Sequence, residues 1–237
     1  MCEHCRRRVA RLNQPTQRIQ KQHSRKKRKK LTALQITVIV LGVIVFLSAC
    51  GFGGYLIYEE AQYQKALRNY PVAYTDLIKQ FADQYELDPY LVQSIMRCES
   101  SNNPTAKSDV GAVGLMQIMP ETGEWIGHKI DPELAYSLDM LEDPATSIEY
   151  GCWYLHFLSE RFDGSIIEIV SAYNAGHGTV EGWLEDARFS QDGKLTVIPY
   201  EDTARYYEKV VAAYENYTTL YPELFTTDAQ PVTVVNG

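Results

Sequence analysis

From Leu31 to Tyr58 the chain has no charged residue, and this gap divides a sequence of 237 residues into two unlike parts. As a helix, those 28 positions would rise about 42 Å at ~1.5 Å per residue, against a hydrocarbon core of ~30 Å. Buried core helices seldom run so far without a charge, so a single membrane span is expected here. Acidic residues are scarce at the start: in residues 1–30 Glu3 alone opposes 12 of the 23 Lys and Arg. That stretch carries +11, which leaves −18 for the remainder of a chain whose net charge is −7. Strand-like alternation is also scarce, which argues against a sheet-built core and for a mainly α fold. The sequence lacks a dinucleotide fingerprint and a phosphate-loop lysine, and His128, His156 and His177 show no ligand spacing. Neither a cofactor nor a metal is expected.

The basic block Arg25-Lys26-Lys27-Arg28-Lys29-Lys30 precedes the apolar run, while Glu59 and Glu60 follow it. The excess of Lys and Arg before the span places the N-terminus in the cytoplasm and the acidic remainder outside. Beside a membrane such a cluster is an orientation signal and a contact for anionic lipid, so no nucleic acid is expected as partner. Leu47-Ser48-Ala49-Cys50 resembles a lipoprotein cleavage site, which would exchange the span for a lipid on Cys50. The long basic arm and the apolar residues continuing from Phe52 to Ile57 favour the uncut anchor. Cysteine is sparse, five in all, and Cys2 and Cys5 with His4 between them form half of a metal site at most.

The expected organisation is a cytoplasmic arm over 1–30, an anchor over 31–58, a stalk over 59–71 broken by Pro71, a helical domain over 72–225 and a loose tail over 226–237. Tyr74, Leu77, Ile78, Phe81, Ala82 and Tyr85 recur at helical spacing. Asp88-Pro89 reads as an N-cap followed by proline at the first helical position, opening a helix to Glu99, and Asp143-Pro144 repeats the signal. Ile166, Ile169, Val170 and Tyr173 form a further face closed by Gly176 and Gly178. Thr203, Tyr206, Tyr207, Val210, Tyr214 and Tyr217 suggest a last helix.

Val92, Ile95, Met96 and Glu99 fall at i, i+3, i+4 and i+7, which puts a carboxyl on an apolar face at a helix C-terminus. Burial and the negative helix end both disfavour its charge, suiting it to hold a proton near neutral pH and donate it. On spacing alone, a solvated Glu at the helix rim is the other reading. A second helix brings Tyr173 and Asn174 to its own end, and Gly111 and Gly114 bracket a segment where backbone can approach a ligand, followed by Met116 and Gln117.

Taken jointly, these residues resemble the soluble lytic transglycosylases, lysozyme-like enzymes that cleave bacterial peptidoglycan. The resemblance rests on five ordered motifs across roughly residues 85–215. These are Glu99-Ser100 with Asn103-Pro104 and Ala106-Lys107-Ser108; Gly111-Ala112-Val113-Gly114-Leu115-Met116-Gln117-Ile118-Met119-Pro120 with Thr122; Asp143-Pro144 with Gly151 and Tyr154-Leu155; Ala172-Tyr173-Asn174-Ala175-Gly176; and Pro199 with Thr203 and Tyr206. It implies a lysozyme-like helical fold in which Glu99 is the sole catalytic acid/base. Ser108, Met116 and Gln117 would line the saccharide groove, Tyr173 and Asn174 would position the sugar or the acid, and Tyr206 would sit against the carboxyl. Asp202 stands where the family usually has Glu, and Ser147 where it usually has Asn.

The resemblance further implies cleavage of the bond between N-acetylmuramic acid and N-acetylglucosamine without water, leaving a 1,6-anhydro end. A hydrolytic muramidase of goose-lysozyme type and a non-catalytic wall-binding protein are the rival readings. Asp109, Glu121 and Glu124 leave room for a second carboxylate. Cys98 and Cys152 fall on helices that the family packs together. A disulfide between them would close a loop worth roughly 4 kcal/mol in the chain-entropy model, and two buried thiols are the equal alternative.

Overall fold

Two Asp-Pro pairs set the helices that matter most. The computed structural model describes residues 30–225, so the basic arm through Lys29, the Cys2/His4/Cys5 group and the tail from 226 lie outside the described residues. The chain divides into two compact units, residues 1–56 and 57–237. In the first unit the described part is the opening of helix α1 (Ala33–Asn69), which has no buried residue. This helix is long and apolar enough to cross a bilayer.

In the second unit, α1 ends at Asn69 and Pro71 follows, as proline requires. Side chains of the folded domain take up carbonyl oxygens at this end: Asn69 O accepts from Arg97 Nε at 3.0 Å and Nη2 at 2.9 Å, and Pro71 O accepts from Asn102 Nδ2 at 3.1 Å and Tyr217 Oη at 3.0 Å. Helices α2 (Thr75–Gln84) and α3 (Pro89–Ser100) come next. Asp88 caps α3 by accepting from the Tyr90 N–H at 2.8 Å, with Pro89 at the first helical position. Beyond a long loop lie α4 (Pro120–Ile130), a 3-10 turn (Leu138–Glu142) and α5 (Pro144–Arg161), the last capped by Asp143 through the Thr146 N–H at 2.9 Å.

The chain continues through α6 (Ile166–Ala175), α7 (His177–Leu184), a hairpin of β1 (Ser190–Gln191) with β2 (Lys194–Leu195), and α8 (Glu201–Leu220). A mainly α fold was expected and is found. The helix-ending role read into Gly178 is corrected. Gly176 takes φ 86 and closes α6, whereas Gly178 lies inside α7, where helical backbone suits it as well.

Helix α3 packs chiefly on α8, and α6 packs on α5, α7 and α8. The contacts are made by the faces that periodicity picked out: Ile78, Val92, Ile95, Met96, Ile148, Leu155 and Val170 are all fully enclosed. Each such side chain contributes ~1.5–3 kcal/mol through its removal from water. Glu168, buried at 1% exposure, accepts from the Leu195 N–H at 2.7 Å and from Ser165 Oγ, and so fastens the hairpin to α6. With α3, α6 and α8 locked in one core, the residues at their ends are held with little freedom.

Candidate active site

Glu99 lies in the last turn of α3, just after the buried run of Val92, Ile95 and Met96. The residue is half-buried, so it has a dry flank and an open one. Burial pushes its carboxyl up to about 7, and this outweighs the lowering effect of a hydrogen bond from Tyr206. That bond, Tyr206 Oη donating to Glu99 Oε1 at 2.6 Å, joins α3 to α8 across 107 residues of sequence. Tyr206 is 8% exposed, and its phenol is raised well above the ordinary value by burial and by the neighbouring Glu99. It therefore remains a donor throughout the neutral range.

Tyr173, two residues before the end of α6, is raised in the same way, again by burial and Glu99. Its hydroxyl donates to the Met116 carbonyl at 2.9 Å. The Met116 N–H is held from the other side by Ser147 Oγ at 3.2 Å, and Ser147 is wholly enclosed. Ser147 thus does local work at the position where the resemblance noted a departure. Met116 is itself fully buried, with Gly151 against its side chain: a Cβ at Gly151 would lie 2.6 Å from its Cε. Met116 was expected to line the groove, and in this structure its side chain is enclosed. Packing on Gly151 draws the thioether into the core, and the backbone carbonyl of Met116 accepts from Tyr173.

The segment before Met116 is folded on itself by backbone bonds. Ser108 N donates to Ala112 O at 2.9 Å, and Ser108 Oγ accepts from Ala112 N at 2.9 Å. Gln117 Nε2 donates to Ala106 O and Gly114 O, each at 3.0 Å, which commits its amide nitrogen to the loop. Gly114 has φ +84, and a Cβ there would meet Leu141 O at 1.9 Å, so only glycine fits. Ser108 and Gln117 are both partly exposed. Asn174 is exposed and accepts at Oδ1 from Thr203 Oγ1 at 2.8 Å, a link between α6 and α8.

The remaining expectations can be placed as well. Asp202 is exposed and pairs with Arg205 in the first turn of α8. Glu121 and Glu124 act on the Tyr136 phenol, and the influences on Glu99 are burial and Tyr206. Cys98 and Cys152 are free thiols. Cys98 is half-buried and Cys152 fully enclosed, and burial raises both thiols, Cys98 to about 11. Among the described residues no cluster of three or more His, Cys, Asp or Glu could hold a metal.

A buried acid of near-neutral proton affinity, two protonated phenols and a glycine-shaped loop make a proton-transfer site open on one side. Residues 76–196 match the family model described as the transglycosylase SLT domain. The soluble lytic murein transglycosylase of Escherichia coli K12 is 39% identical over 150 residues, 62% of this chain and 23% of that protein. The membrane-bound lytic murein transglycosylase C of Haemophilus influenzae is 34% identical over 161 residues, 63% of this chain and 41% of that protein. The chain therefore spans less than half the length of these relatives. The crystal structure of the 70 kDa soluble lytic transglycosylase Slt70 from Escherichia coli superposes with a TM-score of 0.60 at 33% identity, covering 68% of this chain and 27% of that one. A complex of the 70 kDa soluble lytic transglycosylase with bulgecin A gives 0.61 at 32% identity, covering 69% and 27%. With the family model matched over more than half of its length and a lysozyme-like helical fold around Glu99, this chain belongs to the transglycosylase SLT family.

Proposed function

We propose that this protein is a membrane-anchored lytic transglycosylase that cuts the β-1,4 bond between N-acetylmuramic acid and N-acetylglucosamine in peptidoglycan, with Glu99 as its single acid/base. The observation that carries the reading is the Glu99 carboxyl, lifted to about 7 by burial and held by Tyr206 at 2.6 Å. The protonated carboxyl gives its proton to the glycosidic oxygen as the C1–O bond breaks, and the substrate's acetamido group supports the positive charge at C1. The carboxylate so formed then takes the proton of the muramoyl 6-hydroxyl, whose oxygen bonds to C1. Glu99 ends protonated, water is not consumed, and the products are a new 4-hydroxyl and a 1,6-anhydro ring. Support for this route over a two-carboxylate one comes from what acts on and around the acid, which is burial and two phenols and includes no second carboxylate among the described residues.

In the same proposal Ser108 and Gln117 face the saccharide, Asn174 orients it, and Tyr173 with Met116 fixes the loop. The apolar part of α1 crosses the cytoplasmic membrane once with the basic arm inside, so that the domain meets the wall outside the cell. The test is mass spectrometry of muropeptides released by the full-length chain in detergent. Products lighter than hydrolytic ones by one water support the reading. Reducing ends would replace it with hydrolysis, and survival of cleavage in Glu99→Gln would end the assignment of the acid.

A further inference from the structure

Next to the proton-transfer site lies an aromatic surface that the proposed reaction does not use. Trp153 and Phe157, one turn apart on α5, have near-parallel rings 5.9 Å apart at 6°, and Trp125 of α4 stands edge-on to both, at 5.0 and 5.2 Å. All three are only half-buried, whereas Trp183, the third tryptophan of the chain, is 6% exposed and packs on Tyr200. The buried ring of Tyr154 joins them to the catalytic centre: Phe157 lies 6.0 Å from Tyr154, and Tyr154 lies 5.6 Å from Tyr173. Polar groups stand at the edge. Arg161 reaches over Phe157 at 5.6 Å and pairs with Glu181, and both remain accessible, with side chains 41% and 37% exposed. His177 packs against Phe157 at 5.4 Å, with Nδ1 3.5 Å from Tyr154 Oη.

We propose that Trp125, Trp153 and Phe157 form a stacking ledge for a further N-acetylated hexose of the glycan strand, beyond the sugars held at Glu99. This rests on the reading of that site as a glycan cutter. A pyranose ring combines an apolar C–H face with a rim of hydroxyls and an amide. The ledge offers the complement: aromatic surface bordered by a cation, a carboxylate and an imidazole. A purely apolar occupant, such as an acyl chain, would exclude water from the Arg161–Glu181 pair and from His177 while offering them no hydrogen bond of its own, at a desolvation cost. The short distance, two ring contacts from Phe157 to Tyr173, favours the strand already bound over a separate molecule.

The experiment uses the full-length Glu99→Gln chain in detergent with a short and a long β-1,4-linked N-acetylglucosamine oligomer as probes. In a Trp183→Phe version all tryptophan emission comes from the ledge, and the ledge itself is untouched. The long oligomer should change that emission and the short one should not. Trp153→Leu, checked for native helicity by circular dichroism, should weaken the long oligomer about five- to tenfold and leave the short one unchanged, the scale of one aromatic contact. The ledge is overturned if calorimetry registers binding of the long oligomer with no emission change, or if Trp153→Leu binds both alike. If neither oligomer binds the parent chain, the glycan reading of the site fails and takes the ledge with it. If short and long bind equally in all versions, the ledge alone fails.

Discussion

Tyr206→Phe removes one oxygen and keeps the ring, which makes it a direct probe of how the acid is tuned. The hydroxyl donates to Glu99 Oε1 at 2.6 Å and favours the carboxylate, while burial favours the acid and prevails. A hydrogen bond to a charged group is worth ~1.5–3 kcal/mol, and one pKa unit corresponds to ~1.36 kcal/mol. Losing the bond should therefore raise the carboxyl by about one to two units above its value of about 7. The sign follows from the chemistry. In the proposed reaction the first step needs the protonated acid, so kcat/KM should decline as pH rises through the Glu99 pKa, and in Tyr206→Phe this alkaline limb should move up by the same amount. The assay is kcat/KM on purified peptidoglycan as a function of pH, with the full-length chain in detergent. An alkaline limb that stays in place or moves to lower pH would refute the account of Tyr206 as the group that opposes burial at Glu99.

Glu99→Gln should abolish cleavage and yet stabilise the domain above neutrality. The native carboxyl is raised from 4.5 to about 7, so the folded state holds the proton more tightly, and the parent loses stability as pH climbs through that window. The variant's advantage in thermal unfolding should be absent below the window and reach at most ~3 kcal/mol above it; a constant difference at all pH values would contradict the linkage. Gly114→Ala should cost at least about 3 kcal/mol in the same melts, because φ is +84 and the new Cβ would lie 1.9 Å from Leu141 O. Ser147→Ala should cost about 1–3 kcal/mol by leaving the buried Met116 N–H without its acceptor, and should lower kcat more than it changes KM. An unchanged kcat would show that the Met116 peptide does not transmit to Tyr173.

What could be read in the chain depended on whether the signal was local. Asp88-Pro89 and Asp143-Pro144 announced the starts of α3 and α5 because a cap and its proline are neighbours in sequence. The core faces of α2, α3 and α8 followed from their spacing. Helix α7 was hidden, since Gly178 and Gly182 dilute its pattern, and the glycine pair after α6 reads as a stop. Helix α4 carries Gly123 and Gly127 on its buried side, where Tyr136, Leu134 and Tyr150 fill the space, so the apolar stripe that marks a helix is interrupted by glycine. In the site, Glu99 and Tyr206 stood out by helix position and motif. The fate of Met116 did not, because its burial depends on Gly151, 35 positions further along the sequence, and the atom that accepts from Tyr173 is its backbone carbonyl, which any residue would supply.

The arrangement also explains why one carboxyl can serve both halves of the proposed reaction. A group that first gives a proton and then recovers one works best when its affinity for the proton lies near that of the surroundings, since neither transfer is then steeply uphill. An exposed Glu at 4.5 would rarely be protonated at neutral pH, whereas one fully sealed in the core would be a reluctant base and closed to substrate. Glu99 sits between these limits: α3 delivers it from an enclosed apolar face, one side stays open, and Tyr206 pulls its proton affinity back down. Both phenols beside it are raised well above their ordinary value by the same burial and by Glu99 itself. They stay protonated when the acid is ionised, so Tyr206 can stabilise the carboxylate of the second step through its hydrogen bond, Tyr173 keeps its bond to the Met116 carbonyl, and neither competes with Glu99 as a base. The dryness that tunes the acid thereby fixes the roles of its neighbours.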